Sequence, residues 1–398
     1  MAKWADNEEI QIFQEYLKIP SVHPDIDYGL CVEFLKRQAA SLDLPIAIHH
    51  PANEKNPLIV ITWTGSEPEL PSIMLNSHMD VVPVFEDHWT HAPFGAEIDS
   101  EGKIYGRGAQ DMKSLGTQYL GAIRSLKRDG INQLKRTVHV TFTPDEEMGG
   151  GQGMKEFVKT DAFKDLNIGL YLDEAAASED NDFFLFNAER TIYAIELICN
   201  GQSGHGSSPL ENTPGEKVRY LLDKFMDYRS DEIKKIGAGV PLGEVTNINL
   251  TMINGGVQKN VVPAYIKLVF DIRLAVGVDQ DAFEAMILRW CEEAGGDIVL
   301  RHLLREPTAP VSVTDDTNPF WVAFKSATDE LGLKLNVIAS PGCTDARFIR
   351  LQKIPAFGFS PMHNTKRTLH DHDEFVYADG YLEGINIYTK IISKVANV

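Results

Sequence analysis

Val138-His139-Val140-Thr141-Phe142-Thr143-Pro144-Asp145-Glu146-Glu147-Met148-Gly149-Gly150-Gly151 decides the fold class. An apolar run of strand length ends at a proline, carboxylates follow, and a glycine run then permits a turn. Three further runs end in the same way. Ile73-Met74-Leu75-Asn76 leads into Ser77-His78-Met79-Asp80, and Ile168-Gly169-Leu170-Tyr171-Leu172 into Asp173-Glu174. Ile354-Pro355-Ala356-Phe357-Gly358 leads, after a loop, to His370-Asp371-His372-Asp373-Glu374. Open α/β sheets build their sites beyond the carboxyl ends of strands, so these groups can meet in one place. The expectation is an α/β metalloenzyme.

Composition bounds the function. A chain of 398 residues exceeds one comfortable core, so two domains are expected. Hydrophobic content of 43% with 24% charged residues places it among soluble globular proteins. A formal charge of −19 argues against a nucleic-acid partner, whose phosphates it would repel. An anionic substrate would need a local basic pocket to overcome that field. Cys31, Cys199, Cys291 and Cys343 are widely spaced, which indicates neither a disulfide framework nor a thiolate zinc site. Residues 1–9 hold no apolar core of signal-peptide type, and no run reaches transmembrane length. The cytosol is the expected compartment, with no membrane partner.

The pattern then alternates. Glu8–Lys18 and Gly29–Leu42 carry helical periodicity, while Leu58–Thr62, Ile73–Asn76, Thr137–Phe142 and Ile168–Leu172 read as strands. Met112–Arg128 reads as a helix that Asp111 would cap and Asp129-Gly130 would end. From about Glu189 the order is strand Thr191–Cys199, helix Gly215–Tyr228, strands Asn247–Ile253 and Val262–Leu274, helix Asp279–Glu293 and strand Asp297–Leu303. That is β-α-β-β-α-β, the ferredoxin-like unit. Helices near Pro319–Leu331 and Asp379–Lys394 flank the strand at Ile354–Gly358. The expected division is a catalytic domain in two parts, 1–188 and 307–398, with a small domain inserted at 189–306.

Ligand type sets the chemistry. Carboxylate and imidazole without thiolate suit zinc, manganese or cobalt at a hydrolytic centre. One aspartate can bridge two ions about 3.5–4 Å apart, and Asp111, in a loop before a helix, suits that role. Glu146 and Glu147 are adjacent, so both can serve one site only where the strand has ended, and Pro144 and Gly149–Gly151 supply that break. One of the pair can bind metal while the other acts as general base. The Asp80 carboxylate can sit on the other imidazole nitrogen of His78. Each element has a plainer reading: a structural hydrogen bond for His78-x-Asp80, a solvated turn for the glutamates, an exposed polar loop for residues 370–374. The glycine run lacks the Lys-Ser or Lys-Thr of a phosphate loop, and Gly201-Gln202-Ser203-Gly204-His205 misses the spacing of a nucleophile elbow. The case rests on all the elements occurring together in a consistent order.

Ser77-His78-Met79-Asp80-Val81-Val82-Pro83, Gly106-Arg107-Gly108-Ala109-Gln110-Asp111-Met112-Lys113 and Pro144-Asp145-Glu146-Glu147 resemble the signature blocks of the zinc aminoacylase, glutamate carboxypeptidase and dipeptidase family. The likeness extends through Gly204-His205, Asn254-Gly255-Gly256-Val257, Asn260-Val261-Val262-Pro263 and Leu369–Glu374, nearly the whole chain. It implies a large mixed-sheet zinc-hydrolase domain whose ferredoxin-like insertion is a lid and dimerisation domain. It also implies two zinc ions per subunit, one held by His78 and Glu174, the other by Glu147 and His370, with Asp111 between them. Glu146 would be the general base and acid, and Asp80 would orient His78. His205 would reach the partner subunit's site in a homodimer and stabilise the oxyanion. Asn260, Arg273 and Arg347 would hold the substrate carboxylate. The family pattern has Asp-Glu-Gly where this chain has Asp173-Glu174-Ala175, which bears on acyl or side-chain preference. The implied activity is hydrolysis of N-acyl-L-amino acids such as N-acetylmethionine. The alternatives are a dipeptidase or carboxypeptidase on the same scaffold, a non-catalytic binding relative, and, last, a serine hydrolase using Ser203.

Overall fold

A computed structural model of the chain describes residues 2–398 and divides them into two compact units. The larger comprises residues up to Asn187 together with Pro310–Ile338 and Thr344–Val398; the smaller comprises Ala188–Ala309 and Ala339–Cys343. No sequence signal placed 339–343 in the smaller unit.

The larger unit is built on an eight-stranded sheet in the order Ile46–His49, Leu58–Trp63, Val138–Thr143, Ser72–His78, Ile168–Asp173, Ala356–Phe359, Asp182–Glu189, Lys334–Ser340. Its four central strands, from Val138–Thr143 to Ala356–Phe359, run parallel, and the strands pairing outside them on either side run antiparallel. Parallel strands are covered on both faces, which is why Val138–Thr143 and Ser72–His78 are buried at every residue. Side chains alternate between the two cores: Ile73 and Leu75 join one cluster, Met74 the other. Helices Lys113–Arg128 and Ala378–Val395 cover the first face, and residues from Met154–Phe157 and Ala346–Leu351 the second. Gly116 lets the first helix approach closely, since a Cβ there would lie 2.6 Å from the Phe142 ring.

The smaller unit has a four-stranded antiparallel sheet, ordered Asn247–Gly255, Tyr265–Leu274, Thr191–Asn200, Ile298–Arg305. With helices Pro214–Gly237 and Gln280–Glu293 this is the ferredoxin-like topology. Burial alternates strictly along Thr191–Asn200, because helices cover one face only: Tyr193, Ile195, Leu197 and Cys199 point into the core. The expected single strand over Val262–Leu274 is two. Pro263 has no N–H to give a ladder, and Val261–Val262 pairs instead with Gly204–His205.

Candidate metal centre

The four parallel strands carry His78, Glu147, Glu174 and His370 at or beyond their ends, and Asp111 comes from the loop before helix Lys113–Arg128. Ser72–His78 ends on His78, whose imidazole is fully buried. His78 Nδ1 lies 2.8 Å from the Asp80 carbonyl oxygen. A carbonyl only accepts, so Nδ1 carries the proton and Nε2 is the atom that can offer a lone pair. This corrects the expectation for Asp80: its backbone carbonyl orients the imidazole, while its carboxylate stands 3.8 Å away from Nδ1. That carboxylate instead accepts the N–H groups of Glu146 at 3.2 Å and Glu147 at 3.0 Å. It also meets His23 Nε2 at 2.9 Å. Asp80 therefore anchors the turn that presents the two glutamates.

Local sequence explains that turn. After Thr143 the chain leaves the sheet at Pro144, Asp145 takes a left-handed φ of 67°, and Glu146–Met148 forms a single 3-10 turn closed by Gly149 at φ 94°. The strand's alternation is lost, which allows adjacent side chains to serve one region.

Asp111 does not cap the following helix, which starts at Lys113 with no side-chain cap. Its carboxylate is committed elsewhere: Oδ1 lies 2.8 Å from His78 Nε2, and Oδ2 lies 3.2 Å from His370 Nε2. His370 Nε2 is also 3.1 Å from Glu147 Oε2, and His78 Nε2 is 3.7 Å from Glu174 Oε1. Two triads result, His78–Asp111–Glu174 and Asp111–Glu147–His370, sharing one aspartate.

Electrostatics describe a site made for positive charge. Burial pushes Glu174 well above the usual carboxylate range, and Asp111 adds to it. Burial and Asp111 likewise raise Glu147, against the His370 hydrogen bond. Burial opposes the charge on Asp111, yet His370 and His78 hold it far below its ordinary value. Burial opposes a charged His78 too, but Asp111 and Glu174 outweigh it and push the imidazole well up. Hydrogen bonds from Asp111 and Glu147 raise His370 to about 10. Glu147 Oε1 is buried without a hydrogen-bond partner. Crowded carboxylates with an unsatisfied oxygen, beside two imidazoles whose protons a cation would displace, fit divalent cations with mixed N and O ligands. Glu146, beside them in sequence, is pushed well up by burial, with Asp345 and Glu147 adding while His78 and Arg347 oppose.

Sequence reading gave no supporting role to Glu374, which is fully buried. Its Oε1 accepts the N–H of Gln110 at 2.6 Å and of Asp111 at 3.2 Å; its Oε2 accepts Gly108 N–H at 3.1 Å and pairs with Arg107 at 2.8 Å. Gln110 adds amide bonds to the Lys366 and Phe375 carbonyls. The loop carrying Asp111 is thereby tied to the segment carrying His370.

Arg347 belongs to the same unit; its guanidinium donates to the Gly149 carbonyl at 2.8 Å and stacks on Phe348. Ala175 donates its N–H to Ser360 Oγ at 2.8 Å, and its φ is not positive, so no glycine is required there.

His205, Asn260 and Arg273 lie in the smaller unit. His205 is exposed, and its Nδ1 accepts the Ser207 N–H at 3.3 Å, which leaves the proton of a neutral ring on Nε2 as a donor. Its neighbour Gly206 donates to the Asn260 carbonyl at 2.8 Å. Arg273 is engaged by Asp271 on its own strand, Nε to Oδ1 at 3.0 Å.

A parallel-centred mixed sheet that gathers two ligand triads around one aspartate defines a class of hydrolases, and sequence comparison agrees. The chain belongs to the peptidase family M20/M25/M40, whose pattern matches residues 74–394. It is 42% identical to aminoacylase-1 of Sus scrofa over 394 residues, which cover 99% of this chain and 96% of that protein. Its fold is that of the M20 metallo-carboxypeptidase Sso-CP2 from Sulfolobus solfataricus (TM-score 0.74, 19% identity, 98% of this chain and 100% of that one). It also matches the Bacillus subtilis protein YXEP, described as a dinuclear metal-binding peptidase of the M20 family (TM-score 0.68, 17% identity, 98% and 97% covered). Among the described residues no helix is long and apolar enough to cross a membrane.

Proposed function

We propose that this chain hydrolyses N-acyl-L-amino acids to a carboxylate and a free L-amino acid, using two zinc ions per subunit. The observation that carries the proposal is the Asp111 carboxylate, whose two oxygens face two different imidazoles at 2.8 and 3.2 Å. His78 and Glu174 would hold one ion, Glu147 and His370 the other, and Asp111 both. The ions, when bound, supply Lewis acidity for the amide carbonyl and bring the pKa of water to about 7.

The chain's own residues do the rest. Glu146 takes the proton of the attacking water and returns it to the leaving amine. Asp80 fixes Glu146 and Glu147 through their backbone N–H groups. Arg347 answers the substrate carboxylate against a protein field of net charge −19. In a cytosolic homodimer held through the smaller unit, His205 of the partner subunit donates its Nε2–H to the oxyanion.

The likeness to aminoacylase-1 over nearly the whole chain favours an acyl amino acid over a dipeptide. The test is hydrolysis of N-acetylmethionine, other N-acyl amino acids and dipeptides by purified protein, before and after chelation. Acyl-amino-acid turnover that chelation abolishes and zinc restores is expected. Preference for dipeptides would transfer the chain to the peptidase reading.

A further inference from the structure

Three backbone and side-chain bonds zip Ser21–His23 alongside Met79–Val81, a short parallel contact outside any sheet. Ser21 Oγ donates to the Met79 carbonyl, Val81 N–H to the Ser21 carbonyl at 2.8 Å, and His23 N–H to the Val81 carbonyl at 3.2 Å. This register places the His23 ring on one residue. Its Nε2 meets Asp80 Oδ2 at 2.9 Å. The same oxygen accepts the Glu147 N–H, and Oδ1 accepts the Glu146 N–H. The Asp80 carboxylate is fully buried, and three donors fix it. Two of the three are the backbone groups it has to position. His23 is the third, and the one supplied by a side chain.

We propose that His23 is a positioning residue for the catalytic turn: by holding the Asp80 carboxylate, it sets where Glu146 and Glu147 stand. The inference rests on Glu146 being the general base. His23 touches neither of the ligand triads through its ring, and its effect passes through Asp80. A carboxylate held by two N–H groups of one small turn can rotate about its Cβ–Cγ bond and carry the turn with it. A third donor from a separate segment removes that freedom. The requirement is an N–H at the Nε2 position, which glutamine supplies with nearly the same reach and leucine does not. The ring borders an open groove of about 1700 Å³ shared with Tyr28 and Asp145, so shortening it opens no cavity in a packed core.

The experiment compares wild type, His23→Leu, His23→Gln and Glu146→Gln for kcat, KM, metal content after identical dialysis, and melting temperature. His23→Leu should lower kcat roughly 10–100-fold, the usual cost of removing an outer hydrogen-bond partner, with KM and melting temperature close to wild type and any metal loss confined to the Glu147–His370 pair. His23→Gln should recover most of that loss. An unchanged kcat in His23→Leu beside an inactive Glu146→Gln overturns the inference and leaves the base assignment standing. A loss in His23→Leu that follows melting temperature, that comes with metal lost from the His78–Glu174 pair, or that glutamine does not recover, also overturns it. An active Glu146→Gln overturns the base assignment and this inference with it.

Discussion

The backbone N–H of Glu147 donates to the Asp80 carboxylate at 3.0 Å. This relationship changes what Asp80 is for. A carboxylate on the far nitrogen of His78 would tune one proposed ligand; a carboxylate on the Glu146–Glu147 turn would set a proposed ligand of the other triad and the proposed base together. Asp80→Ala should therefore release metal first from the Glu147–His370 pair, taking the content from two ions per chain toward one, and lower kcat roughly 10–100-fold. His78 keeps its backbone partner, since the Asp80 carbonyl survives the substitution. Metal analysis after graded dialysis checks this. Selective loss from the His78–Glu174 pair would restore the simpler role.

The two adjacent glutamates should separate cleanly. If Glu146 is the base and Glu147 a ligand, Glu146→Gln should lower activity by roughly 10²–10⁴-fold with metal retained. Glu147→Ala would then remove a ligand oxygen, the one 3.1 Å from His370 Nε2, and metal content should fall. The assignment is wrong if the Gln variant loses metal and the Ala variant keeps it.

Long, buried, parallel strands were legible because their apolar runs are uninterrupted, as in Ile73-Met74-Leu75 and Val138–Phe142. The outer strands Ile46–His49, Asp182–Glu189 and Lys334–Ser340 were not. Their half-exposed residues blur both the alternation and the apolar run, as the burial of Ile46–His49 and Lys334–Ser340 shows. Likewise, the residues of the two candidate triads stood out by type, and most of them by position after a strand. What holds them did not. His23 and Asp80 are 57 residues apart, and Gln110 and Glu374 are 264 apart. No local pattern encodes such pairs. The partner of His78 was hidden for a different reason: a spacing of two puts the Asp80 side chain and its carbonyl equally within reach of the imidazole, and composition cannot choose between them.

A pH effect on stability should come from a histidine outside the centre. His139 sits in the buried strand Val138–Thr143 opposite Thr62, and burial lowers it from 6.5 to about 4, against a hydrogen bond to Leu166. A neutral folded imidazole and a protonable unfolded one mean that the unfolded chain binds the extra proton. Stability from this group is therefore full above pH 6.5 and lost as pH falls from there toward 4. The loss should reach about 2 kcal/mol by pH 5. His139→Gln should show a shallower fall than wild type in denaturant melts at pH 7.5 and 5. Parallel curves would mean that His139 does not contribute.

The dimer itself is testable through His205. Its Nδ1 accepts the Ser207 N–H, so its Nε2–H is the group available to an oxyanion. If it serves that role, His205→Asn should cost about 10²–10³-fold in kcat, the loss typical of one such donor. If it acts across a dimer, two inactive chains should complement one another. In a mixed dimer of Glu146→Gln and His205→Asn chains, the second chain's site keeps its own Glu146 and receives His205 from the first. That site is complete, while the other lacks both groups. Tandem-purified mixed dimers should then recover close to half of wild-type activity. A histidine serving its own chain would leave both sites defective, and the mixed dimers would stay inactive.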